Sequence, residues 1–544
     1  MSEQLSRRAP YVRSPRGLQV AIETELLGCL DSTSCLTLSI TSRGLLADVG
    51  RSLTALRFKS CSSTRQPHVH EVEDLSRKSL AALDGVLRRY GNLREIEALD
   101  MWIDQSALES IASHCPQLRS CWLEGWKISS LEPLAACGHL QRLVLDDSYH
   151  LTPQVFISFA QRCSRLTSVT LQHSDSWITD TAIIELARNC PNLRELNLDY
   201  EDPIWGENPR AEGAEKLTDR AFIALAEHCV RLEALRGQWL PTADAGLLAI
   251  GRQCRNLRVL HLDGVVHVTR EGFTAFASVC TALDTVIVDL YGRDDFDENN
   301  PIVDGPTIGD ALAAQSLPLR NFGCTHGGWG MINWETDPLI LPALFRAHRQ
   351  LVAVDLNFCH ADEAVILALA EYCPQLRALC VRYGGMTDVS TVALAAGCAG
   401  LETLVLDSAF ANFNVVDGLR VSAESFRALA QLASLKSLYL RYDWKNTGLS
   451  KPSETYPDAP LADPNLLSEY VRILGDGLPT LVELYLECHG TTQVVASIAA
   501  RRPALMITDS GVVHNARPGP YLGATFYQSE PVYWTEKRFG LDRD

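Results

Sequence analysis

One phrase recurs along the chain: a cysteine, two variable residues, a leucine, two variable residues, an apolar residue, one variable residue and a second apolar residue. It reads CPQLRSCWL from Cys115, CSRLTSVTL from Cys163, CPNLRELNL from Cys190, CRNLRVLHL from Cys254 and CPQLRALCV from Cys373. Further copies start at Cys137, Cys229, Cys280 and Cys398, and less regular ones at Leu53, Leu93, Leu319, Leu351, Leu435, Leu481 and Leu505. Recurrence at roughly 22 to 27 residues identifies a stack of about sixteen supersecondary units, not a series of independent globular domains.

Residues 176–200 show how one unit works. Thr179 and Asp180 supply N-cap oxygens, and Ile183, Ile184, Leu186 and Ala187 recur at helical spacing before Cys190 ends the turn. Leu193, Leu196 and Leu198 then point to a core, with the alternation of a short strand. The same cap recurs at Thr218 with Asp219, at Thr269, and at Thr387 with Asp388. A single strand and helix cannot bury both layers, so units must stack. The expected fold is an α/β leucine-rich-repeat solenoid, a horseshoe with strands inside and helices outside.

Composition narrows the partners. A formal charge of −17 disfavours a phosphate backbone, whose binding depends on clustered Lys and Arg. Protein partners are expected, with no nucleic acid and no membrane. No apolar run reaches the roughly 18 residues of a membrane helix, and Glu23 and Glu25 interrupt the apolar segment after the N-terminal arginines. A cytoplasmic or nuclear location follows. The 17 cysteines are odd in number and keep the period of the repeat, which predicts buried reduced thiols, not a disulfide framework.

Four spacings exceed one unit, near residues 200–217, 290–307, 325–338 and 441–464, and each extra stretch starts just after a strand. In a parallel solenoid such insertions leave on one rim. They carry Trp205, Tyr291, Phe296, Trp329, Trp334, Tyr442 and Trp444, residue types favoured as interface anchors. The position after the last core residue of the strand holds Glu124, Asp146, Asp199, Asp263, Asp289, Asp407 and Glu487, with Arg382 and Arg441 toward the C-terminal part. These acids read either as a concave stripe for a basic partner or as turn-ordering side chains.

No phosphate-binding glycine loop, nucleophile elbow or zinc-protease helix occurs, and no CxxC pair supplies metal ligands. The chain is read as non-enzymatic, with no catalytic residue, metal or cofactor.

The repeats resemble the cysteine-containing leucine-rich repeats of F-box and leucine-rich-repeat proteins. Before the first of them, after a basic N-terminus over residues 1–17, lies a short helical stretch over residues 18–52. It resembles a degenerate F-box, in which Leu26, Leu27, Leu30, Leu36, Ile40, Ser42 and Arg43 match the apolar ladder and the following Ser-Arg step. It lacks the opening Leu-Pro and the Trp after Arg43. The resemblance implies adaptor binding through Leu26, Leu27, Leu30, Leu36 and Ile40, and a substrate-recognition role in an SCF-type ubiquitin ligase. Adaptor, cullin and a substrate would be the partners. The overall plan is also similar to that of plant hormone-receptor F-box proteins, but no concave basic cluster is visible for their inositol-phosphate cofactor. The other reading of residues 18–52 is a cap on the first repeat of a structural scaffold subunit. At the far end, residues 509–544 leave the pattern and carry Tyr521, Phe526, Tyr527, Tyr533, Trp534 and Phe539, an aromatic cap or tail.

Overall fold

The computed structural model describes residues 55–59, 84, 87–88, 91–172, 177–199, 217–238, 240–263, 268–288, 308–324, 340–356, 361–382, 386–407, 422–441, 464–487, 492–509 and 512–514. The chain divides into two compact units between Leu217 and Thr218.

In the first unit, strands β1 (Ala55–Lys59), β2 (Glu95–Asp104), β3 (Ser120–Lys127), β4 (Arg142–Asp146), β5 (Ser168–Leu171) and β6 (Glu195–Asp199) pair in parallel, each with the next in sequence. The repeat's leucines set the register. Leu143, Val169 and Leu196 form one column and Leu145, Leu171 and Leu198 the next, all fully buried.

In the second unit, β7 (Ala234–Gln238), β8 (Val259–Asp263), β9 (Thr285–Val288), β10 (Asn321–Cys324) and β11 (Ala353–Leu356) continue the pattern. They are followed by β12 (Ala378–Arg382), β13 (Thr403–Asp407), β14 (Ser437–Arg441), β15 (Glu483–Glu487) and β16 (Met506–Asp509). These pair in parallel, and a short β17 (Val512–His514) runs antiparallel to β16. The two units together hold sixteen parallel strands among the described residues, each at a position the repeat spacing predicts. Helices join the strands, as parallel pairing requires. The architecture is a leucine-rich-repeat solenoid.

The helix Asp180–Asn189 shows the local logic. The Thr179 hydroxyl accepts the backbone N–H of Ala182 at 3.2 Å, and the helix buries Ala182, Ile183, Leu186 and Ala187. Ala182 takes the core position that helical spacing assigns to Ile184, which is half-buried. Cys190 is the C-cap, its N–H donating to the Leu186 carbonyl at 2.9 Å.

The cysteines have a second job between repeats. The Cys190 thiol donates to the Cys163 carbonyl at 3.4 Å, Cys254 to Cys229 at 3.5 Å and Cys398 to Cys373 at 3.4 Å. A thiol is small enough to sit under the turn and still occupy a carbonyl that would otherwise lose its water on burial. Burial pushes the thiols of Cys163, Cys229, Cys254, Cys280, Cys373 and Cys398 up to about 12. Those thiols stay protonated at neutral pH.

His348 stands where other repeats have this cysteine. It is fully buried, its N–H donates to the Leu344 carbonyl at 2.9 Å, and its ring Nε2 lies 3.0 Å from the Leu312 carbonyl. A carbonyl partner assigns the proton to Nε2. Burial drives its pKa down, outweighing the opposing hydrogen bonds to Leu312 and Leu317.

A carboxylate staple links successive helices in the second unit. Asp219, the first residue of the helix Asp219–His228, accepts the N–H of Ala243 at 2.7 Å, and Ala243 is the N-cap of the next helix. Asp244 likewise accepts from Thr269 N at 2.8 Å and from the Thr269 hydroxyl at 2.7 Å. The staple needs space: a Cβ at Gly246 would lie 2.4 Å from Asp219 Oδ1, and one at Gly272 1.9 Å from Asp244 Oδ1. Glycine is required there for close approach, not for its backbone freedom.

Eleven cysteines are free and buried, as the repeat predicts. Cys324, at the end of β10, differs: it is disulfide-bonded, and its partner lies outside the described residues. The expectation of reduced thiols fails at this position. No helix among the described residues is long and apolar enough to cross a membrane.

Candidate protein-interaction surface

Alternation along each strand sends the core leucines toward the helices and the residues between them to the opposite sheet face. In the first unit that face carries mixed charge. Its N-terminal end sets Glu95, Ser120 and Arg142 in register, with Glu95 and Arg142 exposed. Its middle aligns Glu97, Trp122 and Val144, all half-buried. Its C-terminal edge holds Glu124 opposite Asp146, both half-buried. Asp146 precedes Asp147, whose φ of 50° places it in the left-handed region where the chain turns out of β4.

In the second unit the middle row runs through Arg236, His261, Ile287, Gly323, Asp355, Cys380, Val405, Tyr439 and Tyr485, each in register with the next. Cys380, Val405 and Tyr439 form a buried apolar cluster against which Tyr485 packs. The Tyr439 and Tyr485 rings stack at 4.3 Å with an interplanar angle of 7°. Gly323 makes room for its neighbour, since a Cβ there would meet Ile287 Cγ1 and Cγ2 at 3.1 Å. The row is therefore apolar and aromatic over β12 to β15, and it carries charged or titratable groups at Arg236, His261 and Asp355.

The expected acidic positions fall at strand ends. Asp199, Asp263, Asp407 and Glu487 are the last residues of β6, β8, β13 and β15. Register sets Asp263 beside Gln238, Asp407 between Arg382 and Arg441, and Glu487 beside Arg441. Formal charge thus alternates from strand to strand over β12 to β15, whereas Glu124 and Asp146 are like charges side by side. Asp289 lies outside the described residues, as do Trp205, Tyr291, Phe296, Trp329, Trp334, Tyr442 and Trp444 of the insertions. So do Leu26, Leu27, Leu30, Leu36, Ile40, Ser42 and Arg43 of the N-terminal stretch, and the aromatic residues after 514. The insertions follow the C-terminal ends of β6, β9, β10 and β14, and the last three of these strands are parallel within the second unit.

Sequence reasoning missed the middle row. The signal was present: the single residue between two core positions of each strand names it. Among the described residues no three of His, Cys, Asp and Glu converge to hold a metal ion.

No protein-family model matches the chain. Among curated proteins, it is 29% identical over 147 residues to F-box protein SKIP1 of Arabidopsis thaliana, covering 26% of this chain and 49% of that protein. It is 27% identical over 177 residues to GRR1-like protein 1 of the same plant, covering 32% of this chain and 26% of that one. A third relative is antagonist of mitotic exit network protein 1 of Eremothecium gossypii, 28% identical over 143 residues, with 26% of this chain and 33% of that one covered. The matches thus span about half the length of the first relative and less of the others. Among solved structures it is similar to an internalin of Listeria monocytogenes, with 13% identity, a TM-score of 0.35, and 69% of this chain and 94% of that chain covered. It is also similar to a chain of the yeast Rad7 and Elc1 complex, with 15% identity, a TM-score of 0.40, and 84% and 94% covered. The chain is thus built of cysteine-containing leucine-rich repeats, and over about a quarter to a third of its length it is similar to an F-box protein and a GRR1-like protein.

Proposed function

We propose that this protein recognises other proteins through its repeat sheet and serves as a substrate-recognition subunit of an SCF-type ubiquitin ligase. The observation that carries the reading is the similarity to F-box protein SKIP1 in a chain built of cysteine-containing leucine-rich repeats. The sheet face supports a binding role, since it carries the exposed Arg142, the half-buried Trp122 and a half-buried Tyr485 stacked on Tyr439, residue types that dominate interface energetics. On this reading residues 18–52 contact the adaptor through Leu26, Leu27, Leu30, Leu36 and Ile40. The rim insertions and the repeat sheet hold the substrate, and ubiquitin transfer belongs to other subunits.

Affinity purification of the full chain beside a chain lacking residues 1–50 tests this. The full chain is expected to recover the SCF adaptor and cullin, and the shortened chain to lose both while keeping the substrate. An intact chain that recovers neither ends the ligase reading. Its membership of a different large assembly would instead mark it as a scaffold subunit.

A further inference from the structure

We propose that the helix-free sheet face of the second unit, from β7 to β15, is the docking surface for the end of this same chain, Thr525–Asp544. A partner that uses this face has to displace that segment. The contact is internal to the chain and holds whether or not the protein serves a ligase.

The middle row of the sheet gives the first ground. In the first unit it runs through Glu97, Trp122, Val144, Thr170 and Asn197, and all five are half-buried. In the second unit the corresponding residues from Arg236 to Tyr439 are all buried. Arg236 is 9% exposed, His261 1%, Asp355 4% and Tyr439 8%. Side-chain size does not explain the difference, because arginine and tyrosine reach further from a sheet than valine, threonine or asparagine. Repeat geometry alone leaves such positions half open in the first unit, so a further segment lies over the row in the second. The described helices pack on the helices before and after them, on the face where the core leucines point. Among the described residues no element is left to cover the row.

Chain connectivity selects the cover. Thr525–Asp544 belongs with Thr218–Arg517 to the second compact unit, whereas the N-terminal stretch belongs to the first. The insertions start at strand ends and return to the helix that follows. Arg236 and His261 are nevertheless buried on strands that have no insertion, since β7 and β8 lead directly to their helices, from Gln238 to Asp244 and from Asp263 to Arg270. A segment that covers the whole row runs across the strands, and the free end of the chain is long enough. The eight strand spacings from β7 to β15 amount to roughly 38 Å, and a segment the length of Thr525–Asp544 reaches roughly 66 Å when extended.

The chemistry of the two surfaces agrees. The segment has left the repeat pattern and holds Phe526, Tyr527, Tyr533, Trp534 and Phe539, five aromatics in twenty residues, against 7% for the whole chain. Rings at that density need an apolar surface. Cys380, Val405 and Tyr439, with Tyr485 stacked on Tyr439, supply one.

Cys380 makes the contact measurable, because it is a free, buried cysteine on the row itself. Full-length protein is compared with a full-length variant carrying Phe526→Ser, Tyr527→Ser, Tyr533→Ser, Trp534→Ser and Phe539→Ser, using N-ethylmaleimide and peptide mapping. Cys380 should be protected in wild type and react at least about tenfold faster in the variant, while Cys163 and Cys254 stay unlabelled. A synthetic peptide of residues 525–544 added to the variant should restore protection, and the same peptide with its aromatics replaced by serine should not. Trp329→Ala with Trp334→Ala, which alters an insertion instead, should leave Cys380 protected. If Cys163 and Cys254 become labelled in the five-fold variant, the pair Tyr533→Ser and Trp534→Ser is read in its place. Fast labelling of Cys380 in wild type, unchanged protection when the aromatics are replaced, or exposure by the insertion variant alone overturns the proposal.

Discussion

Asp388 accepts the backbone N–H of Ser422, the N-cap of the following helix, at 2.8 Å, and the same Oδ1 takes the Ser425 hydroxyl at 2.5 Å. One carboxylate thus fastens the starts of two consecutive helices across 34 residues of chain. Asp219 and Asp244 do the same for two successive helices earlier in the second unit, so the staple recurs along the repeats.

Asp388→Ala should destabilise the second unit by about 1 kcal/mol, the ordinary net worth of such hydrogen bonds at a partly exposed site. Burial alone would raise the Asp388 pKa, but hydrogen bonds from Ser425 and Ser422 outweigh it and hold the carboxyl below its usual range. A carboxyl depressed on folding stabilises above its unfolded pKa, and that stability is lost as pH falls through the folded value. Urea titrations at neutral and acidic pH should therefore show the difference between wild type and Asp388→Ala shrinking in acid.

Gly272→Ala should cost about 1–3 kcal/mol, because its new methyl overlaps the Asp244 carboxylate and forces the staple on Thr269 apart. The cost should fall sharply in an Asp244→Ala background. Additive effects of the two substitutions in a thermodynamic cycle would mean that the glycine serves something other than the staple.

His348 should make the stability of the second unit pH-dependent near neutrality. Its pKa is depressed by burial, so the unfolded chain binds the proton first. Full stability holds above the unfolded value of about 6.5 and is lost as pH falls from there through the folded value. His348→Cys, which restores the residue used by neighbouring repeats, should flatten the midpoint against pH over that window. An unchanged slope would assign the dependence to another group.

Native thiols should resist alkylation. Cys163, Cys190, Cys254 and Cys398 are buried, and burial holds the thiols of Cys163, Cys254 and Cys398 protonated. Peptide mapping after N-ethylmaleimide treatment should find them unlabelled in native protein and labelled in denaturant. Fast native labelling would contradict the packing of thiols under the turns.

Trp329→Ala combined with Trp334→Ala should weaken capture of a protein partner without changing the melting temperature, as expected of anchors on an insertion. Unchanged capture would remove that insertion from the binding surface.

Much of the fold was legible because the repeat is local. A leucine every second residue writes the strand, a threonine before an aspartate writes the cap, and a cysteine marks the helix end. Each is a short-range requirement repeated at a fixed interval. Sixteen strand positions could be counted from spacing alone, and the buried cysteines followed from their period. What spacing does not encode is what meets across repeats. Gly272 looks like a poor helix residue until the Asp244 carboxylate is found in the space it leaves, and His348 looks like a broken repeat until its ring reaches the Leu312 carbonyl.

The candidate surface divides in the same way. Sequence alone determined an acidic protein of parallel strand and helix repeats with cysteine-capped helices, since these depend on composition and on neighbours a few residues apart. Only tertiary structure decided which charges stand uncompensated. Arg258 and Arg119 follow the same leucine of the repeat, yet one meets Asp284 on the next repeat and the other has no acid partner among the described residues. Electrostatic energy depends on distance through space, and stacking converts a separation of 26 residues between Arg258 and Asp284 into a hydrogen bond of 2.9 Å.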